Sequence, residues 1–160
     1  MSAVLRTLIV SAVVAVASPA LVAADTAADP VLGRWNLNLA KSKFSPGPAP
    51  KSQTRTYMQT PQGMALTWKI VSADGKESLI QTMFKLDGKD YPVQGSADFD
   101  SLVGTQVDAL TVDSSQKRAG KIVATTRRTV AKDSKTLTLR SKGTSADGKT
   151  FSTVAVFDRQ

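Results

Sequence analysis

The chain of 160 residues contains no cysteine, no histidine and a single glutamate, Glu77. The first two absences exclude a disulfide scaffold, a thiol nucleophile, an imidazole base and a zinc site of ordinary type. They also exclude lipid attachment through an N-terminal cysteine. No Gly-rich loop follows a strand in the manner of a phosphate cradle, and no Gly-x-Ser-x-Gly elbow occurs, so neither a cofactor nor a metal is expected. Aromatic residues make up only 6% of the chain, which leaves few rings for stacking on bases, and nucleic acid is not an expected partner. After residue 24 no apolar run is long enough to span a bilayer, and no helical period holds for three turns.

Residues 1–24 carry one early cation, Arg6, an apolar run from Leu8 to Ala17, and small residues in "ALVAA". This pattern predicts a secretory signal cleaved after Ala24, with residues 25–160 forming one domain of periplasmic or secreted location. Charge in that domain is uneven. Residues 25–86 hold eight basic and four acidic groups, 87–113 hold one and six, and 114–160 hold eleven and three. Such patterning suits solvated strand faces, and its basic C-terminal third would also suit contact with an anionic surface.

The domain alternates like strands. "MALTWKIV" sets Met64, Leu66, Trp68 and Ile70 on one face, and "TLTLRSK" sets Leu137 and Leu139 opposite Thr138, Arg140 and Lys142. Asp-Gly pairs at Asp74-Gly75, Asp87-Gly88 and Asp147-Gly148 predict hairpin turns, and "SADGKES" and "SADGKTF" read as one turn solution used twice. Strands are predicted at 33–39, 52–59, 64–72, 77–86, 91–94, 101–106, 109–115, 121–131, 136–144 and 150–158. With one short middle span set aside, the expectation is an all-β, antiparallel up-and-down barrel of about eight to nine strands. Closure removes sheet edges and suits a chain that has no disulfide. The product is expected to be a monomer.

The turn "DPVLG", the sequence Gly33-Arg34-Trp35 on the first strand and the long meander together resemble the lipocalin or calycin superfamily. That resemblance implies that Trp35, following Gly33, closes the barrel floor, and that Arg159 packs across it. It extends to neither the further lipocalin signatures nor a C-terminal helix or disulfide. The chain is also similar to small exported bacterial proteins sharing "LN-x-x-KS-x-F-x-PGPAP", a resemblance that implies no activity.

Pro46, Pro48 and Pro50 make "KSKFSPGPAPKSQTRTY" an extended loop after the first strand. It is either a lid over the barrel mouth or an outer connector, and Phe44 accordingly either caps the pocket or staples the loop to the barrel wall. Arg55 and Tyr57 share a strand face, as do Arg128, Thr126, Ile122 and Val130. Facing inward, Phe44, Arg55, Tyr57, Trp68 and Arg128 would bind a small apolar or amphipathic molecule. Facing outward, the arginines would be solvated, and a register slip of one residue exchanges the two outcomes. Asp98 and Asp100 share a face if extended, but turn chemistry accounts for both. The alternatives to binding are a cofactor-independent isomerase, cyclase or lyase using Tyr57 and an arginine, and a basic envelope-surface protein. The lack of His, Cys and clustered carboxylates favours binding over catalysis.

Overall fold

Residues 28–160 are described by a computed structural model. The predicted signal segment lies outside them. Eleven strands follow in order: β1 Gly33–Leu37, β2 Lys43–Ser45, β3 Ser52–Thr60, β4 Gly63–Val71, β5 Glu77–Phe84, β6 Asp87–Gln94, β7 Ser101–Gln106, β8 Thr111–Arg118, β9 Lys121–Val130, β10 Thr136–Thr144 and β11 Thr150–Arg159. From β3 onward each pairs antiparallel with the next, β1 pairs with β3, and β11 returns to β1 through Trp35–Arg159 and Leu37–Phe157. Ten strands therefore close an up-and-down barrel. The eleventh, β2, adds to Ser152–Val154 of β11, ahead of β1. The count exceeds eight to nine because every short middle span holds a place in the ring, and because β2 forms inside the proline-rich segment.

Turn chemistry explains two corrections. Asp74-Gly75 and Asp147-Gly148 do share one solution, but it is a five-residue connection, 72–76 and 145–149, rather than a two-residue turn. In each, the Asp carboxylate accepts from a Ser hydroxyl at 2.6 Å and from a Lys backbone N–H two residues on, while the Gly takes positive φ. Asp87-Gly88 is no turn at all. It begins β6 at a register shift against β7, with Gly88 at φ +75°. The two-residue hairpin with both central residues at positive φ is instead Ala119-Gly120, between β8 and β9.

The floor is built around the opening motif. Trp35 is fully buried, and its Nε1 donates to the Val31 carbonyl at 2.7 Å. The Arg159 guanidinium lies 4.1 Å from the centre of that ring and donates to the carbonyls of Leu32 (2.6 Å), Pro30 (2.5 Å) and Ser134 (2.5 Å). Three carbonyls thus satisfy a cation that has no carboxylate partner among the described residues. Gly33 has φ +119°, and a Cβ there would come within 2.8 Å of Arg159 Nη1. Glycine is required at this position for both reasons. Val31, Leu137, Val130 and Phe157, all buried, complete the plug.

The wall is tightly laddered except at one seam. β5 and β6 pair only through Gln81–Gln94 and Thr82–Val93. Pro92, which has no N–H to give a ladder, sits beside this seam, and its carbonyl accepts from the Thr82 hydroxyl at 2.8 Å.

Candidate functional site

Above the plug, the inward side chains leave a cavity of about 220 Å³. Its apolar wall includes Leu66, Trp68, Phe84, Leu102, Leu139 and Phe151. Period-two alternation delivers them: Met64, Leu66 and Trp68 are buried on β4, as are Leu137 and Leu139 on β10. Phe44, Arg55, Tyr57, Trp68 and Arg128 are brought together on this one cavity, whereas Gly33, Trp35 and Arg159 belong to the floor. Barrel closure thus turns Arg55 and Arg128 inward. Ile122 departs from the predicted face and stands 61% exposed. A bulge opposite Gln116 and Lys117 shifts the register between Ala124 and Ile122 and rotates it outward.

The polar residues form a row along β3 that continues onto β9. Gln53 Oε1, in the amide orientation that satisfies both its ends, accepts from Trp68 Nε1 at 2.9 Å and from Arg55 Nε and Nη2 at 3.2 Å each. The Arg55 guanidinium carbon lies 4.0 Å from the centre of the Trp68 ring and 5.6 Å from that of Phe157. Its Nη1 reaches the Tyr57 hydroxyl at 3.5 Å. Burial depresses the Arg55 pKa below the usual guanidinium value, partly offset by Tyr57. Further along, the Arg128 guanidinium carbon stands 5.8 Å from the centre of the Tyr57 ring, and Nη2 donates to Asp29 at 2.8 Å. That ion pair is nearly closed to solvent and ties the segment before β1 to the barrel interior.

Among the described residues two buried polar atoms have no hydrogen-bond partner, Arg128 Nε and Gln116 Oε1, and both residues line the cavity. The Gln116 amide donates to Thr126 Oγ1 at 3.3 Å, which shares a 2.8 Å hydrogen bond with Ser141 Oγ.

Sequence reasoning missed Gln53, Gln116 and Asp29. Gln53 lay two residues from Arg55 on the same face, a usable signal. Gln116 fell beyond the predicted end of a strand that in fact runs to Arg118. Asp29 carried no signal, because its partner is 99 residues away.

The mouth is crossed by residues 95–100, between β6 and β7. Asp98 Oδ1 accepts from the Ala146 N–H at 2.8 Å on the β10–β11 connection, and Asp100 Oδ2 accepts from the Ala119 N–H at 2.8 Å on the β8–β9 turn. Phe99, carried between them, packs on Trp68 with ring centroids 5.8 Å apart. The two carboxylates therefore anchor a loop to two neighbouring turns. By contrast, Pro46–Ala49 of the proline-rich segment is exposed, and only Phe44, held on β2, reaches the cavity.

An open depression of about 700 Å³ lies on the outer face of β7–β11, where Asp113, Arg127, Arg140 and Lys142 point outward. It is larger than the interior cavity but belongs to the solvated surface. Arg127 and Asp113 are bonded there at 2.7 Å while both stay about half exposed. Enclosure and apolar walls single out the interior. Among the described residues no group of His, Cys, Asp and Glu is placed to hold a metal ion, and no helix is long and apolar enough to cross a membrane.

No family model and no curated relative matches the chain. Among solved structures it is similar to the zebrafish ileal bile acid-binding protein complexed with cholic acid. Identity is 11%, the match covers 82% of this chain and 99% of that one, and the TM-score is 0.49.

Proposed function

We propose that this protein is exported to the periplasm or the medium and holds one small apolar or amphipathic molecule inside its barrel. The observation that carries this reading is a cavity of about 220 Å³ walled by aromatic and aliphatic side chains, above a close-packed floor. Pockets that bind small molecules combine apolar walls with few polar groups, as here. The volume equals roughly seven waters at their liquid density, so the ligand is small.

The test is titration with an apolar fluorescent probe at low and high salt, for the wild type and Phe44→Ala. Salt-insensitive binding that changes in Phe44→Ala, with thermal stability nearly unaltered, supports the cavity. No probe binding, together with salt-sensitive adhesion to anionic vesicles, would instead make the basic outer face the working surface. Native mass spectrometry of protein from its own periplasm would identify a retained ligand.

One contact favours a second reading on the same cavity. The Tyr57 hydroxyl beside Arg55 Nη1 could polarise a bound carbonyl or enolate, as a cofactor-independent isomerase, cyclase or lyase requires. Turnover of a bound ligand that stops in Tyr57→Phe while binding persists would select it.

A further inference from the structure

The charges of the interior do not balance. Of the three arginines at the cavity and its floor, Arg159 is satisfied by three backbone carbonyls, and Arg128 is paired with Asp29. Arg55 has neither. Its neighbours within hydrogen-bond reach are the Gln53 amide oxygen and the Tyr57 hydroxyl, neither of them a carboxylate, and the two rings beside it are those of Trp68 and Phe157. Asp98 is the carboxylate on the cavity lining. It bonds the Ala146 N–H and lies in no ion pair with Arg55.

A guanidinium has five N–H donors set in a planar fork. In Arg55 the Nε–Nη2 edge is taken by Gln53 Oε1, while the Nη1–Nη2 edge meets only the Tyr57 hydroxyl, at the limit of a hydrogen bond. That second edge has the spacing that a carboxylate fills with two parallel bonds. Arg55 is half-buried, and a cation drawn partly out of water without an anion among the described residues costs folding free energy, of which the stacking on Trp68 and one amide oxygen offset only part. On β9, Arg128, its guanidinium carbon 5.8 Å from the centre of the Tyr57 ring, adds in Nε a second donor of the same cavity with no acceptor among the described residues. The apolar walls opposite would take a hydrocarbon or ring.

We propose that the ligand of this cavity is a small amphipathic carboxylate, of on the order of ten non-hydrogen atoms, whose anionic group pairs with the open Nη1–Nη2 edge of Arg55 beside Tyr57. The proposal rests on the cavity-binding reading and names the chemistry of its ligand. Binding of such an acid completes an ion pair that folding alone leaves half made. Free protein therefore carries a cost at Arg55 that ligand removes.

The experiment compares octanoate and octanol, of matched length, one anionic and one neutral, with acetate as the anion lacking an apolar tail. Affinities are measured by calorimetry on the wild type, Arg55→Gln and Arg55→Lys, with melting temperature followed in parallel. Octanoate is expected to bind wild type roughly ten- to a hundredfold more tightly than octanol. Arg55→Gln should abolish the preference and leave octanol affinity within about twofold. Arg55→Lys, which keeps the charge but not the fork, should retain part of it. Acetate should bind far more weakly than octanoate. Arg55→Gln should also melt no lower than wild type without ligand, and should lose the rise in melting temperature that octanoate gives wild type.

Equal affinity for octanol and octanoate, or an octanoate preference that survives in Arg55→Gln, would overturn the proposal while leaving the cavity reading intact. If octanoate, octanol and the apolar probe all fail to bind folded wild type, the cavity reading falls and this proposal with it. Should Arg55→Gln fail to fold, Arg55→Lys and the wild-type comparison decide, because a purely structural arginine gives no octanoate preference over octanol.

Discussion

Replacing Trp35 by alanine tests the floor of the barrel, and its cost can be built from the contacts. The indole is fully buried. Truncating a large buried aromatic costs about 3–5 kcal/mol in transfer and cavity terms. Its Nε1–H also satisfies the Val31 carbonyl, and its ring lies under Arg159 at 4.1 Å. Losing the first leaves a buried acceptor unpaired, and losing the second removes a cation–π contact, each worth about 1 kcal/mol. The expected loss is about 5–7 kcal/mol, a large share of the 5–15 kcal/mol typical of a whole domain. Trp35→Phe keeps most of the apolar area and loses the N–H, so about 1–2 kcal/mol is expected. Urea unfolding followed by far-ultraviolet circular dichroism measures both without relying on tryptophan emission. A loss below about 1 kcal/mol for Trp35→Ala, the range of surface changes, would refute the plug.

The mouth loop gives a kinetic prediction. Asp98→Ala removes the acceptor for the Ala146 N–H and should speed dissociation of a bound apolar probe and hydrogen exchange at residues 96–100, with little change in melting temperature; an unchanged dissociation rate would show that the loop does not control access. A further prediction concerns pH. Asp113 is held below the usual carboxylate value by Arg127, and Asp158 by Asn38 and Lys41, so both bind protons less readily folded than unfolded. Their contribution is present above the unfolded carboxylate pKa of about 4 and is lost as pH falls through the lower folded values. With no histidine in the chain, the urea midpoint should stay flat between about pH 5.5 and 8 and drop only below about 4; a transition near pH 6–7 would contradict this.

Much of this was determined by sequence alone, wherever the cause is local. Period-two alternation placed Leu66 with Trp68, Leu137 with Leu139 and Arg55 with Tyr57, because successive strand side chains must point to opposite faces. The two "SADGK" segments fold alike because Ser, Asp and Gly bond within five residues. The lack of cysteine pointed to sheet closure, and the sheet does close. Tertiary structure decided the rest. Whether Arg55 and Arg128 face in or out depends on which side of the sheet curls inward, a property of the whole ring. Asp87-Gly88 became a bulge rather than a turn because β6 pairs with β7 through it, and Ile122 was turned outward by a bulge against β8. Asp98 and Asp100 looked like ordinary turn residues, yet their acceptors serve N–H groups 48 and 19 residues away. The unpaired state of Arg55 is the furthest from the sequence. The chain has twelve aspartates and a glutamate, and the packed barrel sends every one of those described away from Arg55.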